Sequence, residues 1–420
     1  MRIVHVVARL NAGGVARQVS WLVDALQQSG HEVVLLSGCV RDGETDGTYL
    51  AVERAILLQQ IATLGRRLDP WADVKALVGL YRALVRFQPD VIHTHGSKAG
   101  VLGRLAGLAY RGLGSKRCIL VHTFHGHVFH AYFNPLYSAV AVAVERLLAR
   151  FTDAIIVLAP SQRQDICNQH GVGSPHRFAI IPVALTLHPP RPARGQDTRR
   201  AARAELGLTD GDVALGIVGR LTAIKNHELF LQAAASCVRS GAAPNLKFVV
   251  IGDGELRAHL EGRLAVALGL GAHVRFAGHR SDIDAQYQAI DAVVLASHSE
   301  GSPLALVEAM AHQRAVLSTC VGGVRDLLGV AVSAGEDGYT VCERGIAVPS
   351  GDVAAMAAGM RRLADDLPLR TSLGERGWRY VRHEHAAQNT LDQTVRVYTC
   401  EGMAAREARG STARGGARLD

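Results

Sequence analysis

Two glutamates separated by seven residues mark the stretch of the sequence best suited to chemistry. Glu300 and Glu308 lie in SEGSPLALVEAMA (299–311), where a Ser-Pro pair separates a loop from an apolar helical pattern. We predict that Ser302 is the helix N-cap and Pro303 the first helical residue, which leaves Glu300 in the loop and Glu308 inside the helix. The free amides of a helix start hold anions, and carboxylates accept hydrogen bonds from hydroxyls. The stretch therefore predicts a site for a ligand that is both phosphorylated and hydroxylated.

A second loop holds two cations suited to neutralising phosphates. Arg220 and Lys225 lie in GRLTAIKN (219–226), between an apolar run and a helical stretch, and Lys225 is one of only five lysines beside 41 arginines. An arginine makes a forked contact with a phosphate, whereas a lysine acts as a point charge. We therefore predict that this loop binds a pyrophosphate.

Neither the acidic nor the histidine-rich motifs predict a metal site. Asp282 and Asp284 have the Asp-x-Asp spacing that holds a divalent cation in sugar-nucleotide enzymes of another fold, but they open a predicted helix, so we interpret them as capping groups. The histidines of HTFHGHVFH (122–130) are spaced too closely for a helical metal pair and have no carboxylate or thiolate beside them. The seven scattered cysteines contain no C-x-x-C pair, which disfavours a zinc site and favours a reducing, cytoplasmic location.

Composition and charge narrow the class of protein. At 420 residues, with 48% apolar and 20% charged side chains, the chain predicts two globular domains. Most of the net charge of +8 comes from segments 191–203 and 403–420, which are poor in apolar residues and which we interpret as a linker and a disordered tail. Only 5% of the residues are aromatic, which disfavours nucleic-acid binding, whereas a peripheral contact with an anionic membrane is compatible with the charge. The sequence shows neither a signal-peptide pattern nor an apolar run of membrane-spanning length.

Apolar runs rich in β-branched residues alternate with helical stretches throughout the chain. Six runs precede the linker, at 2–8, 31–37, 90–96, 118–126, 154–160 and 178–184, and six follow it, at 214–221, 247–255, 274–280, 291–297, 315–323 and 345–352. This alternation predicts an α/β chain of two doubly wound, Rossmann-like domains with parallel sheets. Ligands of such sheets bind beyond the carboxyl ends of the strands, where NAGGVARQ (11–18), HTFHGHVFH, GRLTAIKN and SEGSPLALVE all fall. We expect these loops to face a central cleft.

Ordered motifs in both halves of the chain resemble those of glycosyltransferase family 4, also called glycosyl transferases group 1. The C-terminal half carries GIVGRLTAIKNHELFLQAA, VVIGDGELRAHLE, VRFAGHRSDIDAQY, SEGSPLALVEAMA and CVGGVRDLL, and the N-terminal half carries ARLNAGGVARQVSWLVDAL, DVIHTHGSKAGVLGRLAG and HTFHGHVFHAYF. The resemblance extends to about Glu401, and its most specific part is the Glu-x7-Glu pattern. It implies a GT-B fold, a nucleotide-sugar donor held mainly by the C-terminal domain, retention of anomeric configuration, and neither a metal nor a cofactor.

The resemblance also implies roles for particular residues. Arg220 and Lys225 would bind the donor diphosphate, and Glu308 would accept hydrogen bonds from the ribose hydroxyls. Glu300 would contact the transferred sugar, and His125 would point at the reacting sugar, which makes these two the implied catalytic residues. The other implied donor contacts are Gly14, Gly252, Gly301, Ser302, Pro303 and Leu304, and the implied acceptor contacts are Gly13, His95, Lys98 and His127. Taken alone, the glycines indicate only tight turns.

Two departures from the family pattern leave the donor sugar open. After Gly301, Ser302 and Pro303 stand where many members carry Phe or Leu. Asp326 stands where an acid of the Glu type is usual, and a long polar excursion at 327–352 follows it before the next strand. For the domains, we predict an N-terminal acceptor domain at 1–187, a linker at 188–203 and a donor domain at 204–385. We further predict a C-terminal helix at 386–402 that returns to the N-terminal domain, and a basic disordered tail at 403–420.

The predicted activity is transfer of a hexosyl or N-acetylhexosaminyl group from a nucleotide diphosphate sugar, with a UDP-sugar favoured. The acceptor would be a hydroxyl of a cell-surface glycan, of a lipid-linked precursor, or of a soluble natural product such as an aminocyclitol antibiotic intermediate. Two mechanisms remain open: same-face attack assisted by the departing phosphate, and double displacement through a protein nucleophile. The first is favoured because no isolated carboxylate stands out as the nucleophile. The alternatives are a nucleotide-sugar epimerase or hydrolase of the same fold, a phosphorylase with pyridoxal phosphate on a lysine, and a non-enzymatic basic binding protein.

Overall fold

The chain folds into two compact units. The computed structural model describes residues 1–11, 13–40, 46–65, 69–114, 118–126, 135–185, 192–241, 245–335 and 337–399, with only the backbone described at 135–137 and 192–196. The first unit contains Met1–Ala184 together with the described residues from Ala387 onwards, and the second contains Leu185–Ala386. Among the described residues, no helix is both long and apolar enough to cross a membrane.

The first unit is built on a seven-stranded parallel sheet. Its strands are β1 (Arg2–Val7), β2 (Glu32–Ser37), β3 (Leu58–Gln60), β4 (Val91–His95), β5 (Ile119–Phe124), β6 (Ala154–Val157) and β7 (Phe178–Ile180). Between these strands lie the helices α1 (Gly14–Gln28), α2 (Tyr49–Glu53), α3 (Pro70–Phe87), α4 (Ser97–Leu113), α5 (Pro135–Ala149) and α6 (Pro160–Arg163). A π-helical turn at Gln164–Gln169 and a 3₁₀ turn at Pro175–Arg177 follow α6. The strand order is β3-β2-β1-β4-β5-β6-β7.

The second unit is built on an eight-stranded sheet. Its strands are β8 (Val213–Val218), β9 (Leu246–Ile251), β10 (Val274–Gly278), β11 (Ala292–Leu295), β12 (Ala315–Thr319), β13 (Ala331–Ala334), β14 (Thr340–Cys342) and β15 (Ile346–Val348). Its helices are α7 (Pro192–Glu205), α8 (His227–Ser240), α9 (Arg257–His259), α10 (Ala265–Ala267), α11 (Ile283–Ala289), α12 (Leu304–Ala311), α13 (Val324–Leu328), α14 (Val353–Asp365) and α15 (Leu367–Glu384), with a 3₁₀ turn at Ala223–Lys225 and a π-helical turn at Leu260–Leu264. The strand order is β10-β9-β8-β11-β12-β15-β14-β13.

The last described helix, α16 (Ala387–Tyr398), packs in the first unit against α1. Buried residues on one face of the first sheet come from β1, β2, α1 and α16, and those on the other face come from α3 and α4. Both faces are therefore covered, which explains why the strands are continuous apolar runs. The prediction of two doubly wound α/β domains is confirmed, and each predicted strand segment overlaps an observed strand.

Three strands were not predicted. β3 is only three residues long and reads Leu-Gln-Gln, without an apolar run. β13 and β14 pair antiparallel within the segment that we interpreted as a polar excursion, and β14 pairs antiparallel with β15. The far edge of the second sheet is thus a hairpin extension, and the rest of that sheet is parallel.

The structure corrects the linker prediction for residues 192–203, which belong to helix α7. Arg203 is buried and donates hydrogen bonds to the carbonyls of Ala289 (2.8 Å) and Thr209 (2.6 Å), and Arg199 donates to Asp291 Oδ1 at 2.7 Å. Arg199 and Arg203 therefore hold α7 against the C-terminal end of α11, where carbonyls lack helical partners. The rest of the predicted linker, at 188–191, and the tail at 403–420 lie outside the described residues.

Candidate functional site

The second sheet reverses its winding between β8 and β11. β9 and β10 extend the sheet on one side of this pair, and β12 and β15 extend it on the other. Loops that leave the carboxyl ends of such a pair diverge, and the crevice between them is where ligands of doubly wound sheets bind. The loop after β8 carries Arg220 and Lys225, and the loop after β11 carries Glu300. The topology therefore brings the two predicted loops together.

A short ion pair joins these two loops. Lys225 Nζ donates to Glu300 Oε1 at 2.6 Å, and the hydroxyl of Ser297 donates to the same oxygen at 2.6 Å. The Glu300 side chain is 9% exposed and that of Lys225 is 26% exposed, so the ammonium remains reachable from solvent. The residues assigned separately to the sugar and to the diphosphate are thus in direct contact. Arg220 lies on the same loop with its side chain exposed.

Glycines let the loops after β8 and β9 pack backbone to backbone. Gly252 has φ +141°, and a Cβ at this position would lie 2.0 Å from the carbonyl oxygen of Gly219. The amide of Gly252 donates to the carbonyl of Gly278 at 2.8 Å. Local packing alone therefore requires glycine at position 252, and its contact with the donor stays a prediction.

Helix α12 places Glu308 in the interior of the second unit. Glu308 is 2% exposed, and its Oε2 accepts a hydrogen bond from the hydroxyl of buried Tyr287 at 2.8 Å. Tyr287 in turn stacks on His312 with ring centroids 5.2 Å apart. The carboxylate is therefore held in one orientation by α11.

The start of α12 differs from the prediction by one residue. Pro303 is itself the N-cap, with φ −75° and ψ 91°, and no side chain caps the helix, so Ser302 is not the N-cap. Leu304 is the first helical residue. Gly301 and Pro303 are buried, while Ser302 and Leu304 are partly exposed, which leaves the predicted donor contacts at this helix start partly accessible.

Asp282 and Asp284 open helix α11 as predicted, at the N-cap and in the first turn, but Asp282 does not cap the helix through its side chain. Asp282 occupies the N-cap of α11 without a side-chain capping bond, and its carboxylate accepts instead from Arg280 at 2.7 and 2.8 Å and from Gln286 at 3.0 Å. Asp284 Oδ1 lies 2.9 Å from Nε2 of His312. The guanidinium of Arg280 holds the pKa of Asp282 below its ordinary value. The two carboxylates therefore have separate partners.

In the first unit, a chain of imidazoles crosses the switch point between β1 and β4. Nδ1 of His5 lies 2.9 Å from Nε2 of His95, and Nδ1 of His95 lies 3.0 Å from Nε2 of His125, which follows β5. We call His5, His95 and His125 the histidine chain. Both ring nitrogens of His95 are engaged in it, so the predicted acceptor contact at His95 competes with two existing hydrogen bonds.

Burial keeps the histidine chain uncharged. It lowers the pKa of His5 to about 3 and that of His125 to about 4. Burial, followed by the neighbouring imidazoles, lowers the pKa of His95 well below its ordinary value. A neutral imidazole has one donor and one acceptor nitrogen, so the protons along the chain must all point the same way. Because Nε2 of His125 faces His95, Nδ1 is the nitrogen of His125 left for a further partner.

His93 lies beside the histidine chain with its own partners. Its Nδ1 is 2.5 Å from the hydroxyl of Tyr398 in α16, and its Nε2 is 2.6 Å from the hydroxyl of Thr123. Among the described residues, His5, His93 and His95 form the group whose nitrogens lie within 4.8 Å of one another. Each of these rings already has a protein hydrogen-bond partner, and all three are buried without a carboxylate in the group. We therefore keep the prediction that no metal is bound.

His5 and His93 were not predicted as site residues. Both lie inside apolar strands, where a single histidine resembles a core residue. The available signal was the spacing of His93 and His95. Residues two positions apart in a strand point to the same face of the sheet. A cavity of about 50 Å³ opens beside them, lined among others by His93, His95 and His125.

The remaining predicted acceptor residues lie in different settings. Gly13 is the N-cap of α1 with φ −168°, an extended conformation open to any residue, and Gly14 is the first residue of that helix. Lys98 Nζ lies 2.5 Å from Asp73 Oδ1, which ties α4 to α3 and leaves the Lys98 side chain 12% exposed. His127 lies outside the described residues. Their contacts with an acceptor stay predictions.

Comparisons with known families match both units. The family described as "Glycosyl transferases group 1" matches residues 198–379, and the family described as "Glycosyl transferase 4-like domain" matches residues 13–184. An Escherichia coli protein named UDP-Gal:alpha-D-GlcNAc-diphosphoundecaprenol alpha-1,3-galactosyltransferase is 32% identical over 59% of this chain and 62% of its own length. The chain thus matches less than two thirds of that relative. The alpha-D-kanosaminyltransferase of Streptomyces kanamyceticus is 28% identical over 74% of this chain and 78% of its own length.

Solved structures share the fold over nearly the whole chain. The Anabaena protein HepE in complex with UDP and glucose superposes with a TM-score of 0.76 at 18% identity, covering 94% of this chain and 98% of HepE. WaaG, described as a glycosyltransferase involved in lipopolysaccharide biosynthesis, superposes with a TM-score of 0.66 at 15% identity, covering 95% of this chain and 100% of WaaG. These likenesses establish the architecture of both units.

Proposed function

The chain belongs to the glycosyl transferases group 1, the glycosyltransferase family 4 with the GT-B fold, and we propose that it is a retaining, metal-independent enzyme that uses a UDP-sugar. It would transfer a hexosyl or N-acetylhexosaminyl group to an acceptor hydroxyl. The observation that carries the proposal is the Lys225–Glu300 ion pair at the switch point of the second sheet, close in sequence to the start of α12.

The donor diphosphate would be bound by the loop after β8. Breaking the anomeric C–O bond gathers negative charge on the leaving diphosphate, and cations aimed at that charge lower the barrier. Lys225 provides a partly exposed ammonium, and Arg220 provides an exposed guanidinium on the same loop. The contact with Glu300 fixes the lysine side chain before the donor arrives, which reduces the ordering cost of binding.

The two glutamates would bind the two hydroxylated parts of the donor, its ribose and its transferred sugar. Glu308, oriented by Tyr287, would accept hydrogen bonds from the ribose hydroxyls. Glu300 and the backbone of Gly301 would contact hydroxyls of the transferred sugar. This assignment is supported by the buried, charged carboxylate of Glu300, whose ion pair and serine hydrogen bond hold it in the loop.

In the first unit, His125 would contact the reacting sugar through Nδ1, because Nε2 faces His95. A neutral imidazole in this position donates or accepts a hydrogen bond without adding charge beside the oxocarbenium-like transition state. Retention would follow from attack on the face of the departing phosphate, which takes the acceptor proton. The separate engagement of Asp282 and Asp284 supports catalysis without a metal.

The names of two relatives bear on the acceptor to different extents. The name of the E. coli relative specifies a diphosphoundecaprenol-linked sugar, which supports a lipid-linked acceptor. The name of the Streptomyces relative specifies only the kanosaminyl group that is transferred, so the soluble aminocyclitol acceptor stays a prediction to test. We further propose a cytoplasmic enzyme with a peripheral membrane contact. The six described cysteines are free thiols, which supports a reducing compartment.

The test is a donor screen followed by an acceptor screen. Slow hydrolysis of UDP-, GDP- and ADP-sugars is measured first, in EDTA, and the best donor is then combined with lipid-linked and soluble acceptors. We expect a UDP-sugar to be consumed faster when an acceptor is present, with the anomeric configuration retained in the product by NMR. Release of a free epimerised sugar at the same rate without acceptor would favour the epimerase or hydrolase, and consumption of only GDP- or ADP-sugars would overturn the donor proposal.

A further inference from the structure

Exposed large apolar side chains are concentrated on three neighbouring helices of the first unit. Of the seventeen that are exposed among the described residues, nine lie on α3, on α4, or on α5 and the turn after it. They are Trp71, Val74, Val78, Val85, Leu105, Leu113, Val140, Leu147 and Phe151. α3 packs on α4 and α4 packs on α5, so we call this set the α3–α5 surface. Soluble monomers rarely leave such a concentration of apolar side chains uncovered.

Helix α3 shows the pattern most clearly. Trp71, Val74, Val78 and Val85 are 80%, 56%, 42% and 46% exposed, and their spacing of three, four and seven residues places them on one stripe. The opposite side of the same helix buries a separate set, Ala76, Leu80, Ala83 and Leu84, in the core. The outer stripe is therefore not needed to hold the helix on the sheet.

Exposed cations lie beside the stripe, and the acid at its N-terminal end, Asp69, caps α3 through its side chain. Lys75, Arg82 and Arg86 are exposed on α3. The described parts of α3, α4 and α5 contain only two acids, and both are paired within the unit: Asp73 with Lys98 at 2.5 Å, and Glu145 with buried Arg104 at 2.7 Å. The surface thus offers apolar side chains flanked by cations, with its acids turned to internal partners.

We propose that the α3–α5 surface docks on an anionic phospholipid bilayer. The stripe of α3 would lie at the level of the acyl chains and headgroups, with Lys75, Arg82 and Arg86 among the lipid phosphates. A second copy of the chain is disfavoured as the occupant, because a symmetric contact would bring the three cations of each copy together. The proposal deepens the peripheral contact proposed above by naming its surface and its lipid class, and it does not depend on the transfer reaction.

The charge part of the proposal is tested by vesicle flotation. The full chain is mixed with vesicles of phosphatidylcholine alone, or of phosphatidylcholine with phosphatidylglycerol, at low and high salt. We expect flotation only with phosphatidylglycerol and less of it at high salt. Reversing the three cations in Lys75→Glu/Arg82→Glu/Arg86→Glu should lower the partition coefficient by about 100-fold or more. The control Arg263→Glu/Arg275→Glu/Arg325→Glu makes the same change of net charge with exposed residues of the second unit.

The apolar part is tested by fluorescence. Trp71 is the exposed tryptophan of the three in the chain, so its emission should shift to the blue on phosphatidylglycerol vesicles, and the shift should disappear in Trp71→Phe. Val74→Ser/Val78→Ser should weaken flotation, whereas Val266→Ser/Val332→Ser, which alters exposed valines of the second unit, should not. Circular dichroism confirms that each variant is folded.

Three results would overturn the proposal. The first is equal flotation with and without phosphatidylglycerol, the second is flotation of the charge-reversed α3 variant equal to that of its control, and the third is no flotation of the wild type. Capture of the wild type on immobilised polyglutamate, without flotation, would reassign the surface to an acidic protein partner. Hydrolysis of a soluble donor by the same preparations reports separately on the transferase proposal, so the two proposals fail independently.

Discussion

The two sheets place polar clusters at their switch points, and the clusters differ in charge. In the second unit, Lys225 and Glu300 form an ion pair at 2.6 Å that remains partly open to solvent. In the first unit, the histidine chain is largely buried and its members have lowered pKa values, so it carries no charge near neutral pH. Under the proposed function, this difference would divide the work between the units: the second would compensate the charge of a diphosphate, and the first would position a neutral hydrogen-bonding group.

The largest expected effect comes from removing the charge in the second unit. Lys225→Ala should lower kcat/KM by a factor that corresponds to about 2–4 kcal/mol of lost transition-state stabilisation, because the leaving diphosphate loses a cation in the transition state. We expect Arg220→Ala to have a similar effect. Lys247→Ala is the matched control, since Lys247 lies in β9 and donates to the carbonyl of Ala272. If Lys225→Ala turned over as fast as the control, Lys225 would not stabilise the leaving diphosphate.

A smaller effect is expected from breaking the histidine chain. His95→Leu removes the partner of Nε2 of His125, so we expect kcat to fall about 10- to 100-fold while the KM for the donor changes little. His95→Asn should recover part of this loss by restoring a polar partner. Nitrogen-15 NMR of labelled histidine should show a mixture of tautomers at His125 in the leucine variant. A single unchanged tautomer would show that His95 does not position His125.

The pH dependence of stability should also differ between the units. A histidine whose pKa is about 4 in the folded unit and 6.5 when unfolded stabilises the fold fully above pH 6.5 and progressively less as the pH falls towards 4. For His125 the loss between pH 7 and pH 5 should be about 2 kcal/mol. In the described part of the first unit, burial lowers the pKa of six histidines, His5, His31, His93, His95, His122 and His125, whereas in the described part of the second unit it lowers that of His227 alone.

Hydrogen exchange measured by mass spectrometry at pH 7 and pH 5 checks this expectation. After correction for the intrinsic exchange rate, protection should fall more in β1, β4 and β5 than in β8 and β11. An equal fall in both sheets would mean that the buried imidazoles do not govern the difference.

The smallest effect concerns Lys98, which is paired with Asp73. If the ammonium also contacts the acceptor, Lys98→Met should raise the KM for the acceptor about fivefold, the equivalent of about 1 kcal/mol. Asp73→Asn breaks the same ion pair but keeps the ammonium, so it should leave that KM unchanged. If the two variants changed the KM for the acceptor equally, Lys98 would not contact the acceptor and would only join α3 to α4.

Much of the fold follows from the sequence because the strands are buried on both faces. Each continuous apolar run became a strand. β3 and β13 were not predicted because they are short edge strands with exposed side chains, and β14 was not predicted because it is only three residues long. The arginine-rich segment was misread as a linker because Arg199 and Arg203 hold α7 to the second unit through backbone carbonyls and through Asp291, which is about 90 residues away in sequence. Such contacts leave no local pattern.

The candidate site was predicted unevenly for the same reason. Lys225 and Glu300 were found because charged residues in loops after apolar strands stand out, although their contact with each other was not foreseen. His5 and His93 were missed because a histidine inside an apolar strand resembles a core residue. The two-residue spacing of His93 and His95 was a signal for β4, but it says nothing about His5 until the neighbouring strand is known. The register that aligns His5 with His93 is a property of the sheet and not of either strand alone.

The central claim is that the second unit binds a uridine diphosphate donor by charge and without a metal. The direct measurement is isothermal titration calorimetry of UDP into the wild type, Lys225→Ala and His95→Leu, all in excess EDTA. We predict one UDP per chain for the wild type, affinity weakened about tenfold or more in Lys225→Ala, and affinity unchanged in His95→Leu. Absence of UDP binding until a divalent metal is added, or an equal loss of affinity in both variants, would contradict the account.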